Sequence, residues 1–90
     1  MNLNSILTLD NLQSLDLHGL DRDYSTMLIN QFIDDMRKMK IENFVIVHGV
    51  GAKVLLKTTH DILKKNKHVK DYKLFYNNSG CTVVELNKDW

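Results

Sequence analysis

Two short apolar runs close on the same pair, histidine then glycine, and their spacing constrains the fold more than any other feature of the chain. Ser14-Leu15-Asp16-Leu17-His18-Gly19 alternates in polarity as a strand with one covered face does. Phe44-Val45-Ile46-Val47, which closes on His48-Gly49, is a continuous β-branched and aromatic run, as expected of a strand buried on both faces. From His18 to His48 is 30 residues, about the length of one strand–helix–strand unit. The intervening stretch supports that unit: Tyr24, Leu28, Phe32 and Met36 recur every fourth residue, with Met27, Ile29, Ile33 and Met39 alongside, and Asp21 or Asp23 stands ready as N-cap. A right-handed crossover then makes the two strands parallel neighbours. Both histidines emerge at their carboxyl ends, where open α/β sheets bind ligands.

Beyond Gly51 the pattern predicts a second helix with Leu55, Thr59, Ile62 and Leu63 on its apolar side, and Lys53, Lys57, His60 and Lys64 on another. Val69 to Tyr76 and Cys81 to Leu86 read as strands joined by a hairpin loop, Asn77-Asn78-Ser79-Gly80. The fold class is α/β, a βαβαββ two-layer sandwich with a four-stranded mixed sheet and two helices. Residues 1–12 read as an N-terminal arm, a short helical turn or a mobile segment, and 13–90 as one domain. Ninety residues with 43% hydrophobic content leave no material for a second core, since a chain this short buries only about 60% of its unfolded surface. The ends at Met1 and Asp89-Trp90 read as natural termini of a complete, stand-alone domain.

Composition narrows the setting. Cys81 is the only cysteine, so no internal disulfide calls for an oxidising compartment, and four histidines beside one cysteine make no zinc-finger pattern. Cys81 itself reads as a small core residue. Nothing in Met1 to Asp10 resembles a signal peptide, and no segment has the roughly 20 apolar residues that span a bilayer. A cytoplasmic location is expected. Net charge is +1, but it is unevenly spread: up to Gly51 four basic residues face seven acidic ones, while Ala52 to Lys73 carries seven lysines against Asp61 and Asp71. A basic segment in a nearly neutral domain points to an anionic ligand on one face.

The candidate chemistry collects at the strand ends. Asp16 and His18, two residues apart on a strand, are expected on one face, where a carboxylate fixes the tautomer of an imidazole that serves as general acid or base. The alternative is that Asp16 caps a turn and His18 satisfies a strand-end carbonyl. His48-Gly49-Val50-Gly51 runs directly into the second helix, whose free N–H groups favour an anion. Lys53, Lys57 and Lys64 could carry a sugar-phosphate backbone away from that helix end. Asp16, His18 and His48 could together hold a hydrated divalent ion such as magnesium. His60 reads as a partly exposed member of the lysine face, and His68 as part of a lysine-rich connection.

Leu15-Asp16-Leu17-His18-Gly19-Leu20 resembles the LDLHG signature of the small MutS-related (Smr) domain family. His48 to Leu55 resembles that family's HGxGxGxLR segment, and Thr82-Val83-Val84-Glu85-Leu86 its closing TxVxL strand, so the likeness runs over residues 13 to 86. The resemblance implies a sandwich similar to the C-terminal domain of bacterial translation initiation factor three. It also implies an endonuclease that hydrolyses phosphodiester bonds in RNA or branched DNA, acting in DNA repair or in ribosome quality control. On that analogy Asp16 and His18 are catalytic, His48 supports them, and Gly49 and Gly51 shape the nucleic-acid loop. The chain departs from the pattern at Lys53, where the family has its third loop glycine. It departs again at Leu56, where the family has arginine, and Lys57 one position on lies about 100° around the helix. The family's GGxGxT loop is reduced to Ser79-Gly80-Cys81-Thr82. A non-catalytic module docking on nucleic acid or a ribosome, and a pure protein-interaction domain, stand as the other readings.

Overall fold

A computed structural model describes residues 2–90. Its elements are β1 (Gln13–Asp16), α1 (Arg22–Lys38), β2 (Asn43–Val47), α2 (Lys53–Lys65), β3 (Val69–Phe75) and β4 (Asn78–Leu86), preceded by a 3-10 turn at Leu3–Ser5. The sheet order is β1-β2-β4-β3. β1 and β2 are parallel, as the crossover requires, and β4 pairs antiparallel with both β2 and β3. Both His-Gly turns therefore leave the same end of adjacent strands.

The sheet is covered on two sides by different means. Alternation along β2 sends Phe44 and Ile46 to the helices, where they pack with Val84, Leu86, Leu17, Ile29, Ile33 and Leu63, while Val45 faces away. On that second face the N-terminal arm lays Leu3 and Ile6 over Val45, Phe75, Cys81 and Val83. Lys73 Nζ donates to Asn4 Oδ1 at 2.8 Å and the Tyr76 hydroxyl donates to the Leu7 carbonyl at 3.1 Å, pinning the arm. A single sheet with helices on one side would otherwise leave this apolar row in water. The arm's apolar residues, too sparse to announce an element, are spaced to cover it.

Two expectations are corrected, the buried face of the first helix and the length of the last loop. The first helix begins at Arg22 behind the Asp21 cap, whose Oδ1 accepts from the Tyr24 N–H at 2.8 Å. Its inward residues are Ser25, Ile29, Ile33 and Met36, and Tyr24, Met27 and Met39 face solvent. The apolar stripe is wider than the buried one because Leu28 and Phe32 pack only along its edge. The β3–β4 connection is tighter than a four-residue loop: Phe75 pairs with Asn78 across Tyr76-Asn77, and β4 already includes Ser79 and Gly80. Asn78 Oδ1 accepts from the Gly80 N–H at 2.9 Å, giving the polar residues a place within the extended chain.

Candidate functional site

The β1–β2 ladder continues past β1, with the Leu17 N–H donating to the Val47 carbonyl at 2.7 Å, and this draws the two His-Gly turns side by side. The second turn is held from the far side by one residue of β4. The Gly80 carbonyl accepts from the N–H groups of His48 at 2.9 Å and Gly49 at 3.0 Å. Gly80 must be glycine at this contact: a Cβ there would lie 2.8 Å from the Val50 nitrogen and 3.0 Å from the Gly49 carbonyl carbon, both backbone atoms. Gly80→Ala is expected to lose about 1–3 kcal/mol through overpacking. Amide exchange of Val50 to Ala52 should rise more than that of α1, and equal rises in both would contradict a local effect.

Gly49 has φ +102°, and a Cβ on it would come within 3.3 Å of His18 Cδ2. The His18 ring thus lies over the second turn, exposed on its outer side. Asp16 is also exposed, but its Oδ1 accepts from the His18 backbone N–H at 2.9 Å. This bond caps the first turn, so the carboxylate holds the backbone that carries the imidazole. Asp16 shares a row across the sheet with Val47 and Cys81. Burial and the Asp16 charge both push the Cys81 thiol up, which keeps it protonated and inert.

His48 is fully buried and faces inward. Its Nε2 lies 2.9 Å from Thr82 Oγ1, and His60 Nε2 lies 2.9 Å from the same oxygen. One hydroxyl can donate once, and that decides the protons. His48 Nδ1 is 3.4 Å from the Gly49 carbonyl, a contact that requires hydrogen on Nδ1. His48 Nε2 is then bare and accepts the Thr82 hydroxyl proton, while His60 Nε2–H donates to Thr82. In this arrangement His48 is neutral, since its Nε2 accepts. Tyr72 closes the group, its ring centroid 5.0 Å from that of His60 at 69°.

Burial lowers the proton affinity of His48, and burial together with the neighbouring His48 lowers that of His60 against a small opposing pull from Asp61. A histidine whose folded value lies below the ordinary 6.5 binds its proton more readily unfolded, so stability is full above that pH and is lost as pH falls through it. Thermal melts at pH 7.5 and pH 5.5 should show a lower midpoint at pH 5.5. A Thr82→Val chain with both histidines replaced by glutamine should lose much of the difference, and persistence of the whole drop would assign it to other groups.

The sequence-predicted residues thus separate. Asp16, His18, Gly49 and Gly51 come together at one edge, with His48 directly behind them. Lys53, Lys57 and Lys64 are exposed along α2, and among the described residues none of the three is in a salt bridge. His60 is not simply part of that lysine face, since its Nε2 turns in to Thr82. The signal was available: it is four residues after Leu56, on the boundary of the apolar side. Among the described residues no three His, Cys, Asp or Glu side chains group to hold a metal ion, so Asp16, His18 and His48 do not form a ligand set. The inward turn of His48 is the reason.

Two depressions adjoin this edge. The wider, about 400 Å³, is bordered by Asp21, Arg22, Asp23 and Val54, and its carboxylates oppose an anion. The narrower, about 180 Å³, lies against the Gly49–Gly51 turn, Lys53 and Leu56. α2 begins beside it at Ala52, which has no capping side chain, and there is no acid in its first turn. The Lys53 N–H donates to the Gly51 carbonyl at 3.0 Å, and the N–H groups of the rest of that turn favour an anion.

The fold and the two His-Gly turns define a known class. The Smr domain family matches residues 15–87, and the chain belongs to that family. It is 36% identical over 89 residues to endonuclease MutS2 of Clostridium novyi, covering 96% of this chain, and 38% identical over 84 residues to that of Clostridium beijerinckii, covering 89%. The chain spans 11% of the length of each of these relatives. Its fold is similar to the crystal structure of the Smr domain of Thermus thermophilus MutS2, with a TM-score of 0.81 and 23% identity, covering 84% of this chain and 99% of that one. It is likewise similar to YdaL, a stand-alone small MutS-related protein from Escherichia coli, with a TM-score of 0.80 and 23% identity over 83% of this chain and 64% of that one. Among the described residues no helix is long and apolar enough to cross a membrane.

Proposed function

We propose that this domain binds nucleic acid at the shared edge of its two His-Gly turns and hydrolyses phosphodiester bonds there, in RNA or branched DNA. The observation that carries the reading is the placement of the exposed His18 ring over Gly49, next to the uncapped start of α2 and the free Lys53. A phosphate seated on the α2 N–H groups and Lys53 lies beside an imidazole able to exchange a proton with the attacking water or the leaving oxygen. Asp16 acts through the turn that it caps, and His48 through the backbone of the glycine loop. Lys57 and Lys64 carry the neighbouring phosphates. The likeness to proteins named endonuclease MutS2 supports the same chemistry.

A non-catalytic docking module, on nucleic acid or a ribosome, is favoured by one observation. Leu56 stands where the family pattern has arginine, and Lys57 points elsewhere on the helix, so a guanidinium to neutralise the charge developing on phosphorus is missing from that position.

The experiment is cleavage of end-labelled structured RNA and branched DNA, with and without magnesium, by the wild-type chain and an Asp16→Ala/His18→Ala double variant, with binding followed on the same samples. Loss of a general acid–base group is expected to slow cleavage about 10²- to 10⁴-fold while binding persists. Binding without cutting by either protein would leave the docking reading. Binding insensitive to salt would remove both, since lysine–phosphate contacts weaken steeply as salt rises.

A further inference from the structure

The narrow cleft at the glycine turn is more apolar than a phosphate site requires. Ala52, Leu56 and Leu74 line it, with Lys53 and Ser79 at the same opening. Leu74 on β3 is 39% exposed, an unusual fate for a leucine facing the helix side of a sheet. Val50, 77% exposed, extends the apolar surface along the loop. An anion alone gains nothing from these side chains, and an apolar ligand alone gains nothing from the lysines. The ligand must present a flat apolar group within reach of a phosphate.

We infer that the cleft between the start of α2 and β3 receives an unpaired nucleobase, and that the domain thereby selects single-stranded over double-stranded nucleic acid. This rests on the nucleic-acid reading above and specifies its substrate. The occupant follows from charge: Lys53 opens onto the cleft, Lys57 stands one helical turn further on and Lys64 about two turns beyond that, all three exposed on α2. A polyanion fits that surface better than a peptide does. In a duplex the bases stay stacked and paired, so a helix docked here would offer phosphates to Lys53 and nothing to Leu56 and Leu74. A single strand can turn one base out, against apolar side chains, while its flanking phosphates meet the lysines. The cleft is small, about 180 Å³, so the neighbouring nucleotides stay outside it, in solvent and on the lysine face.

The test needs no variant in its main arm. Fluorescence anisotropy compares a labelled single-stranded RNA, a strand of the same length whose central nucleotides are abasic, and the ordinary strand annealed into a duplex. The abasic strand keeps the phosphates and loses only the group that the cleft is inferred to hold. Removing the base is expected to weaken binding about tenfold, and the duplex should bind no better than the abasic strand. In a second arm, Leu74→Ser, checked by its melting curve, should narrow the gap between ordinary and abasic strands. Equal binding of all three ligands, with the usual salt dependence, would overturn this inference and leave the nucleic-acid reading intact. Failure of all three to bind would overturn both.

Discussion

Phe44→Ala is expected to cost about 3–5 kcal/mol, a large share of the roughly 5–13 kcal/mol typical of a domain this size. Phe44 is fully buried on β2, which has β1 on one side and β4 on the other. Its ring meets that of Phe32 edge to face, with centroids 5.2 Å apart at 80°, a geometry worth about 0.5–1.5 kcal/mol beyond the area it buries. Truncation opens a cavity between the central strand and α1 that neither rigid neighbour can close. Urea unfolding at pH 7.5 should show a midpoint well below wild type with an unchanged slope. Val45→Ala, on the opposite face under the arm, removes fewer atoms and should shift the midpoint less. If the two shifts were equal, the helix-side layer would not be the principal core.

Thr82→Val keeps the shape of the side chain and removes the hydroxyl that two imidazoles share. His48 Nε2 then has no donor in a site closed to water, and an unsatisfied buried group of this kind costs about 1–3 kcal/mol. His60 is only half buried and can turn towards solvent, so its loss is smaller. The consequence for function follows from the backbone. His48 N–H and Gly49 N–H share the Gly80 carbonyl, and a displaced His48 ring loosens the turn over which His18 lies. Thr82→Val is therefore expected to weaken nucleic-acid binding as well as lower the melting temperature, whereas Thr82→Ser should preserve both. Binding untouched by the valine variant would show that the glycine loop is held by Gly80 alone.

These two substitutions mark the division between what could be read from residues and what could not. The strand–His–Gly repeat and its 30-residue interval led to parallel neighbours with both histidines at one edge, and the sheet has that arrangement. Packing chose Ile29 and Ile33 over Leu28 and Phe32 as the buried row, but a cap at Asp21 or Asp23 and an amphipathic helix behind it followed from local rules, because a cap acts within one turn and a helix period acts within a few residues. The fates of Asp16 and His48 did not. Alternation along a strand places Asp16 on a face, but whether its carboxylate meets an imidazole or a backbone N–H depends on the turn that follows. His48 looked like the twin of His18 in sequence. It is instead buried, because α2 and Thr82 of β4 close over it from segments 12 to 34 residues away.

The arm shows the same limit. Leu3 and Ile6 carry no period, and only the uncovered face of the finished sheet gives them a place. The cleft beside Leu56 is another case: Leu56 and Leu74 are 18 residues apart, and the packing of α2 along β3 makes them neighbours. By itself, then, the sequence determined the elements, their order, the parallel pairing and the edge where the two His-Gly turns meet, since these follow from hydrophobic period, caps and chain length. Tertiary structure decided which histidine faces water, which hydroxyl serves two rings, what covers the second face and where an apolar cleft opens, because each depends on side chains that only long-range packing brings into contact.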